Sequence, residues 1–206
     1  MTDLSLPAGH PALPDAGLTL YPEWIIAIFW LGKDIENRSW APSSRLLGKR
    51  LAFSAGKSWG GEGRSKRAIA AALIGVGYMA EEAGWVCALG PDPRTDTPLL
   101  HAQKDGQSLA FAGGPVSDKT TIVIQPGRLY GDVILLGHTL ASPSPWAVDG
   151  QVHWQISKPR LYPAPIPVVG KQGIWKPADR IRKARSVEKT QAGRPAGQQS
   201  LPGGAR

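Results

Sequence analysis

A charged cluster interrupts an apolar stretch early in this chain and limits what the residues around it can build. Residues 22–31 place Trp24, Ile25, Ile28, Phe29 and Leu31 on a broad apolar face. Pro22 suits the first position of a helix, where its missing N–H costs nothing, and Gly32 suits the left-handed exit. The chain then continues Lys33, Asp34, Ile35, Glu36, Asn37, Arg38, Ser39, Trp40. In a strand over 35–40, Glu36 and Arg38 share one face and Ile35 and Asn37 the other. Charged side chains are rarely buried without partners. Lys33, Glu36 and Arg38 therefore either pair internally beside the first helix or line a cleft for a flat, polar ligand such as a nucleobase.

The order of elements beyond the cluster predicts a mixed α+β domain. Residues 49–54 read as a strand. Residues 65–83 read as the clearest helix, with Ile69, Leu73, Val76 and Met79 near three- to four-residue spacing. Residues 120–125, 132–140, 151–157 and 171–175 read as further strands. The run Pro163-Ala164-Pro165-Ile166-Pro167 cannot donate a full ladder and reads as an extended edge or a loop. Residues 86–118 are rich in Gly, Pro and Asp and read as an insertion forming a hairpin or lid. Gly56-Lys57-Ser58 invites a phosphate-loop reading, which fails because that motif needs a glycine where Leu51 stands.

The residues around the cluster resemble the ASCH family of the PUA-like superfamily. Lys33, Glu36 and Arg38 keep the Lys/Glu/Arg spacing of its Gly-x-Lys-x-x-Glu-x-Arg motif, with Gly32 displaced to the position beside the lysine. Tyr21-Pro22-Glu23-Trp24 is similar to the family's helix start, and Asn37-Arg38-Ser39-Trp40 to the continuation of its motif. Gly48 to Lys57 is similar to its next strand, with Ser54 in place of the common histidine. Gly170-Lys171-Gln172-Gly173-Ile174-Trp175 is similar to its closing strand. The resemblance spans about residues 18–176 and implies a PUA-like mixed β-barrel flanked by helices. It also implies a role in binding RNA or a modified nucleotide or nucleoside. Some family members are nucleic-acid or nucleoside hydrolases.

Residues 1–17, with Pro7, Pro11 and Pro14, read as a flexible leader, and 177–206 as a disordered basic tail. From Lys176 to Arg206 there are eight basic residues and two acidic ones, so that segment carries +6 of the net charge of +8. The basicity thus belongs to the tail rather than the body, where it either adds salt-sensitive affinity for phosphate or is simply solvated. Cys87 is the single cysteine, and no histidine pair has metal-ligand spacing, so neither a disulfide nor a metal centre is expected. No cofactor is expected either. No apolar run reaches the ~18 residues of a membrane helix, and there is no signal-peptide pattern, which points to the cytoplasm and away from a membrane.

Within this frame Arg38 suits a planar fork to a base edge or phosphate. Lys33 suits a phosphate contact or, with its pKa lowered by desolvation, a general base. Glu36 suits an acceptor for a base amino group. Trp40 and Trp154 are stacking candidates, set against the alternative that indoles fill the core. His153 is a further ligand-contact candidate, whereas His138 reads as a core residue. Lys57 and Arg64 are candidates for phosphate. Three readings stand open: a binding module for RNA or a modified nucleotide, with single-stranded DNA as a further partner; a nucleoside amidohydrolase or metal-independent ribonuclease using Lys33 and Glu36; and an accessory domain whose tail binds an acidic protein.

Overall fold

A computed structural model describes residue 4 and residues 6–117 and 119–192. Its larger sheet contains β1 (Ala16–Leu20), β2 (Ile35–Arg38), β3 (Arg50–Ala55), β8 (Arg128–Thr139) and β9 (Val152–Pro167). Their order is β1-β3-β8-β9-β2, with β1 parallel to β3 and all other pairs antiparallel. The sheet curls into a half-barrel, so the α+β class holds. Helices α1 (Pro22–Phe29) and α2 (Lys66–Glu82) cover one face, and α3 (Pro177–Ala192) lies on the other.

Strand β3 is buried on both faces and therefore lacks a polar alternation. Leu51, Phe53 and Ala55 join the main core with Ile25, Ile28, Leu73 and Trp154. Ala52 joins a second core with Leu129, Tyr162, Trp175 and Ile181. Leu4, Leu6 and Leu13 also pack on that second core, so the leader lies against the body over these positions. The tail expectation is likewise corrected for 177–192. Ile181 and Ala184 give this stretch an apolar stripe, which docks it as α3. The remainder of the expected tail, 193–206, lies outside the described residues.

The predicted strand at 151–157 runs on through Pro167. Strand β2 pairs only with Val152–Gln155. Beyond that, among the described residues β9 is bordered by β8 alone, which leaves an edge where prolines interrupt no second ladder. Gly131 of β8 permits the close approach of α1, since a Cβ there would lie 2.7 Å from the Phe29 ring and 2.3 Å from the Arg160 carbonyl. The predicted strand at 171–175 is reduced to a single bridge between Gly17 and Trp175.

The insertion is a sheet. Strands β4 (Val86–Pro91), β5 (Pro98–Lys104) and β6 (Gln107–Ala112) form an antiparallel meander, and β7 (Ile122–Val123) adds a short parallel edge. Leu100, Ala102 and Phe111 face the main core, with Phe111 edge-on to Trp30 at 5.9 Å. Asp92 closes the β4–β5 turn by accepting from the Arg94 and Ser117 backbone N–H groups at 2.8 and 2.7 Å. Those bonds hold its carboxyl down at about 2.

Candidate functional site

The charged cluster forms where α1 ends and β2 begins. Gly32, at φ 80°, turns the chain so that the Lys33 N–H returns to the Ala27 carbonyl at 2.9 Å. Lys33 is thereby carried into the interior and is 4% exposed. Its ammonium lies 5.0 Å from the ring centre of Trp24 and 5.8 Å from that of Trp146, within cation–π range of both. Burial pushes this ammonium below the usual lysine value, and the nearby Glu36 opposes the shift. Burial likewise pushes the Glu36 carboxyl up, against the attraction of Lys33 and Arg38. Glu36 and Arg38 stand two apart on β2 and form an ion pair at 3.0 Å. The buried Nε N–H of Arg38 has no partner among the described residues.

A cleft of about 630 Å³ opens over this pair, a size ordinary for small-ligand sites. Glu36, Asn37 and Arg38 form one wall, and Tyr21 and Trp24 at the start of α1 form another. Gly56, Lys57 and Ser58 contribute after β3, and Val148 and Gln151 before β9. Val168, Gly170, Lys171, Gln172 and Gly173 complete the lining from the far end of the chain. Among the described residues the lining holds three cations, Arg38, Lys57 and Lys171, against one carboxylate, Glu36. It therefore favours an anionic ligand. Among the described residues no group of His, Cys, Asp and Glu side chains is arranged to hold a metal ion.

Thr19 ties this distant wall to the sheet. Its hydroxyl oxygen accepts from the Lys171 backbone N–H at 3.2 Å and from the Trp175 indole N–H at 3.1 Å. With both lone pairs used, its own proton goes to Ser54 Oγ at 3.2 Å. Gly170 leaves room for this arrangement, because a Cβ there would stand 3.0 Å from Thr19 Oγ1. Asn37 holds the opposite wall, donating to the Trp146 carbonyl at 2.8 Å and accepting from the Val148 N–H at 3.2 Å. The buried His153 donates from Nε2 to the Val148 carbonyl at 2.9 Å, which sets it behind that wall.

Glu36, Arg38 and Lys57 thus lie together on the cleft, while Lys33 backs it beside Trp24. Trp40 lines an adjoining recess of about 360 Å³ that shares Asn37, Arg38, Gln151, Gln172 and Gly173 with the cleft. Trp154 is corrected: it is fully buried, edge-on to Trp40 at 4.6 Å, with its indole N–H donated to the Trp40 carbonyl. No face of it is left for a base. Arg64 stands off the cleft and acts on it indirectly, its Nε donating to the Lys57 carbonyl at 3.0 Å. His138 is exposed rather than a core residue. Cys87 is half-buried, and burial pushes its thiol up, away from the reactive thiolate.

Sequence reasoning missed Tyr21, Gln151, Lys171 and Gln172 as lining residues. The available signal was the lysine and glutamine set between Gly170 and Gly173, which read as a closing strand. No protein-family model and no curated protein matches this chain.

Proposed function

We propose that the cleft binds a nucleotide of RNA, or a modified nucleotide, within an ASCH-like domain of PUA-like fold. The observation that carries this reading is the braced Glu36–Arg38 pair facing a cleft whose other charges are Lys57 and Lys171. A carboxylate beside a guanidinium presents an acceptor next to donors, the complement of a base edge bearing an amino group and a carbonyl. The two lysines suit phosphate, and the exposed ring of Tyr21 and the half-buried ring of Trp24 suit the face of a base. An unpaired or extruded base offers both features at once. The curled sheet, and the position of the charged strand directly after α1, also support the family reading.

Fluorescence anisotropy with labelled single-stranded RNA and with free nucleotides tests this reading. Arg38→Ala is expected to weaken binding roughly tenfold to a hundredfold, the worth of a charge-assisted hydrogen bond. Lys171→Ala, which leaves the buried pair intact, is expected to weaken it less. Unchanged affinity in both variants would reject the cleft as the site.

One observation favours hydrolysis as a second reading: burial drives both Lys33 and Glu36 toward their neutral forms. A neutral amine is a base, and a protonated carboxyl is an acid. Under this reading Lys33→Met abolishes turnover of an N-acylated nucleoside or an RNA strand while affinity is retained.

A further inference from the structure

The cleft wall and the basic C-terminal helix are one continuous piece of chain. Gly173 lines both the cleft and the adjoining recess, and α3 begins at Pro177. Four residues of extended chain span at most about 14 Å, so the start of α3 cannot lie farther than that from the cleft rim. Trp175 fixes the connection through backbone bonds with Gly17 of 2.7 and 3.0 Å, in addition to its indole bond to Thr19. The helix itself is docked: Ile181 is fully buried, and the Val169 N–H bonds to the Arg180 carbonyl at 3.4 Å. Val169 lies between two cleft residues, Val168 and Gly170.

The charge on this piece is one-sided. Residues 176–192 hold six basic side chains against Asp179 and Glu188. Lys176, Arg182 and Lys183 are exposed, and Asp179 is occupied by Arg182 at 2.9 Å. At 16 residues the helix runs about 24 Å. We propose that α3 is the phosphodiester platform for a single strand of nucleic acid, one nucleotide of which occupies the cleft. The ligand is then a polynucleotide rather than a free nucleoside. The inference rests on the nucleotide reading of the cleft.

An anionic bilayer fits this helix less well. Helices that lie on membranes present a wide apolar face to the lipid. The apolar stripe of α3 is already spent on the second core, and among its described side chains Val187 is the one large hydrophobic left exposed.

The test uses the full chain, a labelled ten-nucleotide RNA, the DNA of the same sequence, a mononucleotide and polyglutamate, each across a salt series. The variant is Lys176→Ala/Arg182→Ala/Lys183→Ala, all exposed positions, with circular dichroism to check that the helix is retained. Removing three phosphate contacts is expected to reduce the slope of log affinity against log salt by roughly two and to weaken the RNA more than tenfold. Mononucleotide affinity is expected to be unchanged. The DNA arm separates the two sources of the backbone: equal loss on both strands assigns the platform to the shared phosphodiester, and loss on RNA alone assigns it to the ribose-bearing strand. If the triple variant binds the ten-mer like the wild type while Arg38→Ala does not, the platform is refuted and the cleft reading survives. If Arg38→Ala is silent toward every ligand, both fall. Polyglutamate binding with the same salt slope would also overturn the proposal, since the helix would then be a surface for any polyanion.

Discussion

Glu23 offers a test of how tightly the cleft's outer loop is sealed. It stands in the first turn of α1, between the cleft residues Tyr21 and Trp24, yet is itself 3% exposed. One of its oxygens accepts from the Gly60 N–H at 2.8 Å, and the other has no partner among the described residues. Burial outweighs these hydrogen bonds and raises the carboxyl from 4.5 to about 7. At about 1.4 kcal/mol per pH unit, ionising it in the folded chain costs about 3 kcal/mol more than in the unfolded chain. Between those two values the folded state holds the proton more tightly. The contribution to stability is therefore full below pH 4.5 and is lost as pH rises through 7.

Glu23→Gln keeps an oxygen for Gly60 and cannot ionise. Urea unfolding at pH 4.5 and pH 8 for both proteins gives four free energies. The wild type is expected to lose about 3 kcal/mol more than the variant between the two pH values. Any fixed cost of replacing an oxygen by an NH2 group cancels in that difference. Parallel behaviour within about 0.5 kcal/mol, the usual scatter of surface substitutions, would refute the reasoning. The carboxyl would then be solvated, and the loop at 56–63 would not cover it. A wild type that instead gains on the variant as pH rises would have the wrong sign and would refute it equally.

Two further perturbations probe the frame around the cleft. Asp132 has no exposed surface and takes Arg50, Arg160 and the Tyr162 hydroxyl at once; Asp132→Ala is expected to cost about 2–3 kcal/mol in chemical denaturation, below the full price of a broken buried pair because both guanidinium groups keep contact with water. Thr19→Val removes the acceptor for the Lys171 and Trp175 N–H groups and is expected to destabilise the chain by about 2 kcal/mol; nucleotide affinity should fall with it in anisotropy while Glu36 and Arg38 stay in place.

The elements that were legible in the sequence are those whose signal is local. The periodicity of Ile69, Leu73 and Val76 places α2 because all three are buried on one helical face. Pro22 and Gly32 bracket α1 because their backbone preferences act at a single residue. The second core was not legible in the same way. Ile181 lies in a stretch whose charge outweighs its few apolar residues, so composition reads it as tail, and only the exposed underside of the β8–β9 pair gives that isoleucine somewhere to go. The long reach of β9 through four prolines was hidden for a related reason. Proline forbids a central strand, and whether a strand is central depends on how far β2 extends beside it, which residues 152–167 do not encode.

The candidate site divides along the same line. Glu36 and Arg38 pair within two positions, so their partnership can be read from the strand period alone. Lys171 meets Thr19 across a separation of 152 residues, and nothing in the composition of either segment announces the contact. Trp40 and Trp154 looked equivalent as sequence, two indoles near polar residues. Their roles separate because β2 and β9 are antiparallel with Glu36 opposite Trp154, which turns the Trp154 ring into the core as Trp40 reaches the end of the strand and remains partly in solvent. The sign of the cleft is likewise a tertiary property. The body outside the basic segment carries only +2, yet folding gathers three of its cations around one carboxylate. A chain whose body is nearly neutral can therefore still present a cationic cavity, and the tail's charge is not needed to explain an anionic ligand in the cleft. That separation gives the salt series its power, because the cleft and α3 contribute different, independently removable parts of the slope.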